Sequence, residues 1–250
     1  MSYGGTSPAG GKIDVGVAVS RTYSNVWQNA GLAVELAWLP FAIMVAAEIV
    51  AMLLGAAGKF GTVLGLLVRG LAFAVFGTIF IVRWYRFVLL GETASGELFP
   101  PGWGPFLIAA IKIGVVFIVG LIVLAAIAAL PPHFLTMPIA MIGGIALAFA
   151  LARLWLVFPA AAIERPIELR AAWDLVAGNY WRLVACFVLC YLPFVVVKAL
   201  LGGSATVVGL VFQIIGFAVV FAGAAVIASL LSGVYRQLAG EPGQPPLRQG

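Results

Sequence analysis

The chain has 250 residues, of which 64% are apolar and only 9% carry a formal charge. A soluble domain is on average about 45–50% apolar and about 25% charged, and so few charges could not cover the surface of a soluble globule. The composition excludes a soluble enzyme, a disordered chain and a fibrous protein, and it predicts a membrane protein with several spans.

The charge balance favours lipid over nucleic acid as a partner. There are 14 Lys and Arg against 9 Asp and Glu, which gives a net charge of +5. In a membrane protein such cations set the topology and contact anionic lipid headgroups. We therefore expect membrane lipids as partners and no nucleic acid. The two cysteines, Cys186 and Cys190, lie inside one apolar run and are too few for a disulfide framework.

The N-terminal segment, residues 1–31, is predicted to contain a helix that lies in the membrane interface. Tyr23, Val26 and Trp27 recur on one stripe of this helix, which suits a helix resting among lipid headgroups. The apolar run 15–19 is too short for the core of a cleavable signal peptide. We therefore expect the first span to act as an uncleaved anchor.

Six apolar runs predict six membrane-spanning helices, because a helix needs about 20 apolar residues to cross a bilayer. The first two runs each contain one internal charge, Glu48 and Arg69. The uncharged run of 40 residues before Arg153 is twice the length that one span needs, and Pro131-Pro132-His133 divides it. Gly202-Gly203-Ser204 divides the last run. The predicted spans are about 33–57, 61–83, 106–130, 135–158, 182–201 and 205–233.

The predicted fold class is an all-α polytopic membrane protein whose six spans form three helical hairpins. Helices satisfy every backbone polar group inside lipid, and the continuous apolar runs exclude an outer-membrane barrel. The spans make one transmembrane domain over residues 32–235, followed by a tail at 236–250 that is rich in Gly and Pro and is expected to be disordered. A second interfacial helix is predicted at about 166–178, beginning at Pro166.

The lysines and arginines predict the orientation. Ten of them fall on the side that holds both termini, against two, Lys59 and Lys198, near the opposite turns. Because Lys and Arg are enriched in cytoplasmic loops, both termini are expected in the cytoplasm. The ten are Lys12, Arg21, Arg83, Arg86, Arg153, Arg165, Arg170, Arg182, Arg236 and Arg248.

Two pairs of opposite charges match in depth within the first hairpin. Glu48 lies nine residues before Ala57 and Arg69 lies nine residues after Phe60, and the same arithmetic pairs Glu35 with Arg83. An ionisable group inside the membrane is costly, and by default it marks a functional site. We favour two ion bridges that lock the hairpin. A proton or solute pathway lined by Glu48 and Arg69 is the alternative.

Three further cations are candidate contacts for anionic lipid. Lys112 and Arg153 match in depth within the second hairpin but carry the same sign. Their long side chains can extend toward cytoplasmic headgroups, and an anionic lipid or substrate between them is a second interpretation. Arg182 follows Trp181 at the start of the fifth span, where interfacial anchors are expected.

The three hairpins show signs of an internal repeat. The segment 27–41 (WQNAGLAVELAWLPF) parallels 181–194 (WRLVACFVLCYLPF), with one gap. The ends of the second, fourth and sixth spans are also alike: 85–92 (YRFVLLGE), 153–164 (RLWLVFPAAAIE) and 235–241 (YRQLAGE). A threefold hairpin repeat is one explanation. The other is that membrane interfaces make every hairpin look alike.

The residues that catalysis needs are scarce. One histidine, His133, cannot build a His-rich zinc site, and the sequence has no HExxH, GxxxxGK[ST] or GxSxG motif. The two aspartates, Asp14 and Asp174, lie outside the predicted spans. We predict no catalytic, cofactor-binding or metal-binding residues, and therefore a chain that is not an enzyme. An intramembrane enzyme is the least favoured alternative.

The stretch from 153 to 182 (RLWLVFPAAAIERPIELRAAWDLVAGNYWR) joins the end of one predicted span to the start of the next. In this pattern it resembles bacterial inner-membrane proteins of the glycerophosphoryl-diester-phosphodiesterase membrane-domain type. It has the arginine, proline and glutamate that end one span in that group, and the Trp, Gly-Asn and aromatic-Arg pattern that begins the next. Ala172 stands where serine is more common. The residues that fit are Arg153, Pro159, Glu164, Trp173, Gly178, Asn179, Trp181 and Arg182.

This resemblance implies a multi-pass protein of the bacterial inner membrane. It implies no catalytic residues, because the phosphodiesterase chemistry of that family belongs to a separate soluble domain. The expected function is an accessory, scaffolding or lipid-interacting module. The alternative is a small transporter or channel that uses Glu48 and Arg69, with Pro40, Pro138 and Pro193 breaking its spans.

Overall fold

The computed structural model describes residues 12–93, 97–129, 133–201 and 207–240. Throughout these ranges the regular secondary structure is helical. The described residues form ten α-helices: α1 Val15–Gln28, α2 Ala30–Gly55, α3 Lys59–Ala72, α4 Thr78–Leu90, α5 Trp103–Ala128, α6 His133–Ala152, α7 Val157–Ala162, α8 Leu169–Leu175, α9 Tyr180–Leu201 and α10 Val207–Ala239. A π-helical turn, Phe73–Gly77, joins α3 to α4, and a 3-10 turn, Arg153–Leu156, joins α6 to α7.

Six helical stretches in the described ranges are long and apolar enough to cross a membrane. They are Ala30–Gly55, Lys59–Leu90, Trp103–Ala128, Leu135–Ala162, Tyr180–Leu200 and Val211–Ala239. The predicted all-α polytopic fold is therefore confirmed. The chain breaks predicted at Pro131-Pro132 and Gly202-Gly203-Ser204 lie outside the described residues, as do residues 241–250 of the predicted tail. The tail was predicted to begin at residue 236, and this start is corrected, because residues 236–239 belong to α10.

Three prolines lie inside membrane helices without ending them. Pro40, Pro138 and Pro193 belong to continuous helices α2, α6 and α9, so the expectation that they break spans is corrected. Near Pro193 the backbone carbonyl of Cys190 accepts a hydrogen bond from the Tyr23 hydroxyl at 3.0 Å. Bonds of this kind, from side chains of neighbouring helices, satisfy backbone groups near a proline and make it tolerable within a membrane.

The helices within each hairpin pack closely because glycine lies at the contact. A Cβ atom built on Gly61 would lie 1.9 Å from the carbonyl oxygen of Leu54, and one built on Gly65 would lie 2.8 Å from that of Ala51. Such distances are impossible for any residue with a side chain. Small residues therefore let the backbones of α2 and α3 approach each other, as is typical of helix pairs in membranes.

The three hairpins are arranged cyclically. Their second helices, α4, α7 and α10, contact one another and form the centre. The first helix of each hairpin packs outside, against the second helix of the preceding hairpin: α5 against α4, and α2 against α10. The third such contact joins α9 to the turn before α7, where the rings of Phe187 and Trp155 lie 4.3 Å apart between centroids. This arrangement is consistent with a threefold hairpin repeat.

Much of the buried core lies on the side of the bundle that holds α1 and the end of α10. We call this side of the bundle the terminal face; it comprises α1, the connection 97–102, residues 163–179 and the end of α10. Three of the four buried residues of α5, Phe106, Ala109 and Ile113, lie in its first half. Only 11% of the most apolar stretch of α5 is buried, against 56% of the corresponding stretch of α10. The second hairpin therefore extends away from the core toward its far end.

The interfacial segment before α9 is shorter than predicted. A helix over 166–178 is expected from the sequence, but α8 covers only Leu169–Leu175. Glu164 has a φ of 60°, which turns the chain sharply after α7, and Glu168 is extended. Ile167, which precedes α8, packs against the core.

Candidate functional site

Glu48 and Arg69 meet inside the first hairpin. Nη1 of Arg69 lies 3.3 Å from Oε1 of Glu48 and 3.5 Å from its Oε2. The Glu48 side chain is 9% exposed, whereas that of Arg69 is 42% exposed. The pair therefore joins α2 to α3 at the position that depth matching predicts, with the carboxylate buried and part of the guanidinium open.

Counting along α2 from an interfacial Trp38 places this ion pair near the middle of the membrane. Trp38 is 60% exposed, as expected for an aromatic anchor at the interface. Glu48 follows it by ten residues, or about 15 Å of helix. That is half of a hydrocarbon core of about 30 Å. A guanidinium at such a depth is stabilised by a counter-charge, which Glu48 supplies.

Glu35 and Arg83 are not brought together, and the prediction of a second ion bridge is corrected. Glu35 is exposed, and Nη2 of Arg83 donates to the backbone carbonyl of Glu97. Depth matching does not account for rotation about the helix axis. The π-helical turn Phe73–Gly77 is wider than an α-helical turn, and it rotates the residues that follow it relative to α3.

Arg86 is a buried cation with several polar partners, and sequence reasoning did not single it out as a site residue. Arg86 is 8% exposed. Its Nε and Nη2 donate to the two carboxylate oxygens of Glu92 at 2.7 and 2.8 Å. Its Nη1 donates to the carbonyl of Ala162 at 3.1 Å and lies 3.5 Å from Glu164. The similarity of 85–92 to the other span ends was the signal that could have identified it.

Arg236 makes a similar contact between the third hairpin and the first. Its Nη2 donates to the carbonyls of Val88 and Leu89 in the last turn of α4, at 2.9 Å for Leu89. Arginines of α10 and α4 thus reach the C-terminal carbonyls of α4 and α7 respectively. Because helix C-termini carry a partial negative charge, these contacts stabilise the convergence of helix ends at the terminal face.

Arg153 lies between two aromatic rings. Its guanidinium carbon is 4.3 Å from the ring centroid of Trp173 on α8 and 4.3 Å from that of Tyr180 at the start of α9. Contact with two rings restricts the orientation of the guanidinium. In the ranges that the structure covers, its N–H groups have no acceptor, so the edge of the group remains available to an anion.

Lys112 and Arg182, the other predicted lipid contacts, differ from Arg153. Lys112 is exposed on α5. Gly120 of α5 packs against Leu147 of α6, and Gly143 of α6 packs against Leu124 of α5. The two helices are therefore antiparallel, and a residue one position earlier in α5 faces a residue one position later in the other helix. Eight steps back from residue 120 place Lys112 opposite residue 155, close to the depth of Arg153.

Arg182 instead holds the N-terminal segment. Its Nη1 donates to the carbonyl of Ile13 at 2.8 Å, and the N–H of Ile13 donates to Oδ1 of Asn179 at 2.9 Å. Ile13 and Asn179 are both buried. The Asn-aromatic-Arg pattern of the sequence therefore anchors the start of α1, a role that spacing within the pattern could not reveal.

Helix α1 is held across the bundle by polar contacts. The amide of Asn25 donates to Oγ of Ser229 at 3.3 Å, and the indole N–H of Trp84 donates to the same oxygen at 2.9 Å. Burial raises the pKa of Tyr23 above its ordinary value, with a smaller contribution from Cys190. The phenol therefore remains protonated and continues to donate to the Cys190 carbonyl.

In the part of the chain that the structure covers, no group of three or more His, Cys, Asp or Glu residues is placed to hold a metal ion. Comparison with models of protein families, with curated proteins and with solved structures finds no match to this chain. The resemblance of residues 153–182 to the phosphodiesterase membrane-domain group therefore stays a prediction.

Proposed function

We propose that this chain is a multi-pass protein of the bacterial inner membrane that binds anionic lipid headgroups at its terminal face. Both termini are in the cytoplasm, where the amphipathic segment α1 and the short helix α8 lie among headgroups. The chain acts as an accessory or scaffolding module and not as an enzyme. The observation that carries the proposal is Arg153, held between Trp173 and Tyr180 with its N–H edge open.

The chemistry of Arg153 suits a lipid phosphate. A guanidinium presents parallel N–H donors that match phosphate geometry, and stacking on aromatic rings orients those donors in advance. Lys112 lies at a similar depth and adds a second positive charge. An anionic headgroup is the ligand that both charges favour, because each cation near a membrane surface contributes about 1 kcal/mol to the attraction of anionic lipid.

The test measures the affinity of the purified full-length protein for phosphatidylglycerol by native mass spectrometry. Arg153→Gln is expected to weaken binding about fivefold, the factor that corresponds to about 1 kcal/mol. Trp173→Leu keeps the charge but removes one stacking partner, and it should also weaken binding. The matched control is Arg170→Gln, because Arg170 is an exposed arginine on the same helix as Trp173. Equal losses for Arg153→Gln and Arg170→Gln would show only general charge attraction.

A pathway through the first hairpin is the second candidate function. The observation in its favour is that the Arg69 side chain is 42% exposed at mid-membrane depth. If Glu48 and Arg69 conduct protons or a solute, Glu48→Gln should abolish proton-coupled flux into vesicles while the protein remains folded. If the pair is structural, the same variant should lose stability and show no change in flux.

A further inference from the structure

A groove of about 300 Å³ lies between α9 and α10 in the third hairpin. Helix α9 lines it with Tyr191, Phe194, Val195 and Lys198, which recur at intervals of three or four residues and so lie on one helix face. The groove therefore runs along the helix axes, parallel to the lipid chains of the surrounding membrane.

Two glycines of α10 let side chains of α9 that line the groove pack directly against the α10 backbone. A Cβ atom built on Gly216 would lie 2.3 Å from Nζ of Lys198, and one built on Gly223 would lie 3.2 Å from Cγ of Phe194. These glycines are seven residues apart, so they lie on one face of α10, about 10 Å apart. A side chain at either position would meet the α9 residues that line the groove.

One cation lies at the far end of this apolar groove. Trp181 is 71% exposed and marks the interface at the start of α9. Lys198 follows it by 17 residues, or about 25 Å of helix, which is close to the full thickness of a hydrocarbon core of about 30 Å. Its ammonium therefore lies near the headgroups of the leaflet opposite the terminal face.

The charge of Lys198 is not balanced by a carboxylate in the described ranges. Its Nζ makes one long hydrogen bond, to Oε1 of Gln213 at 3.4 Å. An ammonium has three donors, and a bond of this length to a neutral amide is weak. The group is therefore free to bind an anion that approaches from the headgroup region.

We propose that this groove binds one acyl chain of an anionic phospholipid from the far leaflet, with the lipid phosphate bound by Lys198 and Gln213. The arrangement matches such a lipid from end to end, since the apolar part is aligned with the membrane normal and the cation is at headgroup depth. The volume is at the small end of ligand cavities, about 300–1,000 Å³. A helix of about 10–12 Å diameter from a second copy would not fit within it.

This site is separate from the one at Arg153, so the test is made in the Arg153→Gln background. Dissociation constants for phosphatidylglycerol and phosphatidylcholine are measured by native mass spectrometry on the full-length protein. The parent is expected to prefer phosphatidylglycerol. Lys198→Gln should weaken phosphatidylglycerol binding about fivefold, the factor for one lysine at a lipid surface, and should abolish the preference. Lys59→Gln removes the other far-end lysine and should leave binding within about twofold.

A second pair of variants tests the groove itself. Val195→Trp fills the groove and keeps Lys198, and it should weaken the binding of both lipids. Val188→Trp is the matched control, because both valines are 46% exposed on α9 and only Val195 lines the groove. Thermal unfolding verifies that all variants are folded.

Three results would overturn the proposal. The first is an equal loss for Lys59→Gln and Lys198→Gln, which would indicate general attraction to charge. The second is unchanged binding in Val195→Trp, which would show that no acyl chain occupies the groove. The third is displacement of the lipid by millimolar inorganic phosphate, which would show that the headgroup alone is bound.

Discussion

Replacing Glu48 by glutamine leaves Arg69 without its carboxylate near the middle of the membrane. The substitution preserves the shape of a side chain that is 9% exposed, so packing between α2 and α3 is retained. It removes the charge that lies 3.3 Å from the guanidinium. The expected result is a less stable hairpin, because a charged group at this depth needs a counter-charge.

The magnitude follows from two estimates that agree. At 3.3 Å and an effective dielectric constant of about 20, the Coulomb energy of the pair is about 5 kcal/mol. The 42% exposure of Arg69 reduces this figure, since the guanidinium can turn toward water or headgroups. Inserting an unpaired arginine at a helix centre costs about 2.5–3.5 kcal/mol. We therefore expect Glu48→Gln to lower the free energy of unfolding by about 2–3 kcal/mol.

The assay is equilibrium unfolding in mixed micelles by titration with SDS, followed by circular dichroism. The double variant Glu48→Gln/Arg69→Gln removes both charges and should recover to within about 1 kcal/mol of the parent, because replacing a whole buried pair is often nearly neutral. Glu35→Gln is the control, since Glu35 is an exposed carboxylate on the same helix. A double variant that is less stable than Glu48→Gln alone would refute a direct interaction between these charges.

Three further predictions concern packing and the N-terminal helix. Gly65→Val should lower the free energy of unfolding by about 1–3 kcal/mol, because its side chain meets the α2 backbone, while Gly70→Ala has open space and should have little effect. Asn179→Ala should release the N–H of Ile13 and speed cleavage of the N-terminal segment in limited proteolysis, whereas unchanged cleavage would contradict the anchoring role. Since the pKa of Tyr23 is raised in the folded state, stability should fall as pH rises through its ordinary value of about 10, and Tyr23→Phe should weaken this dependence in unfolding measured against pH.

The depth of each charge could be predicted from the sequence, but its direction around the helix could not. Counting residues from the turn placed Glu48 level with Arg69, and the two side chains meet. The same count placed Glu35 level with Arg83, yet Arg83 contacts the Glu97 carbonyl instead. Residue counts give the rise along a helix. The intervening π-helical turn changes the direction around the helix axis in which the later side chains point, and no feature of the local sequence predicts such a turn.

The candidate lipid site could be predicted only in part, because the sequence gives the depth of a charge but not its contacts. Arg153 was expected near headgroups because it follows a long apolar run. Its position between Trp173 and Tyr180 depends on where α8 folds back over the end of the second hairpin. The sequence supports Arg182 equally well as a lipid contact. In the structure, however, its guanidinium donates to the backbone carbonyl of Ile13. Contacts between distant segments decide which of several interfacial arginines remains available to a lipid.

Composition and the spacing of charges by themselves determined that this chain is all-helical and crosses a membrane six times, because only long apolar helices satisfy backbone groups in lipid. The tertiary structure decided where the helices end. Span predictions stopped at 83 and 233, near the end of the apolar runs, whereas α4 continues to Leu90 and α10 to Ala239. Arg236 binds the last carbonyls of α4, and Arg86 binds those of α7. Hydropathy reports only whether each helix by itself is apolar enough for lipid. The additional helical turns of α4 and α10 form because neighbouring hairpins pack against them and supply charges that bind their ends.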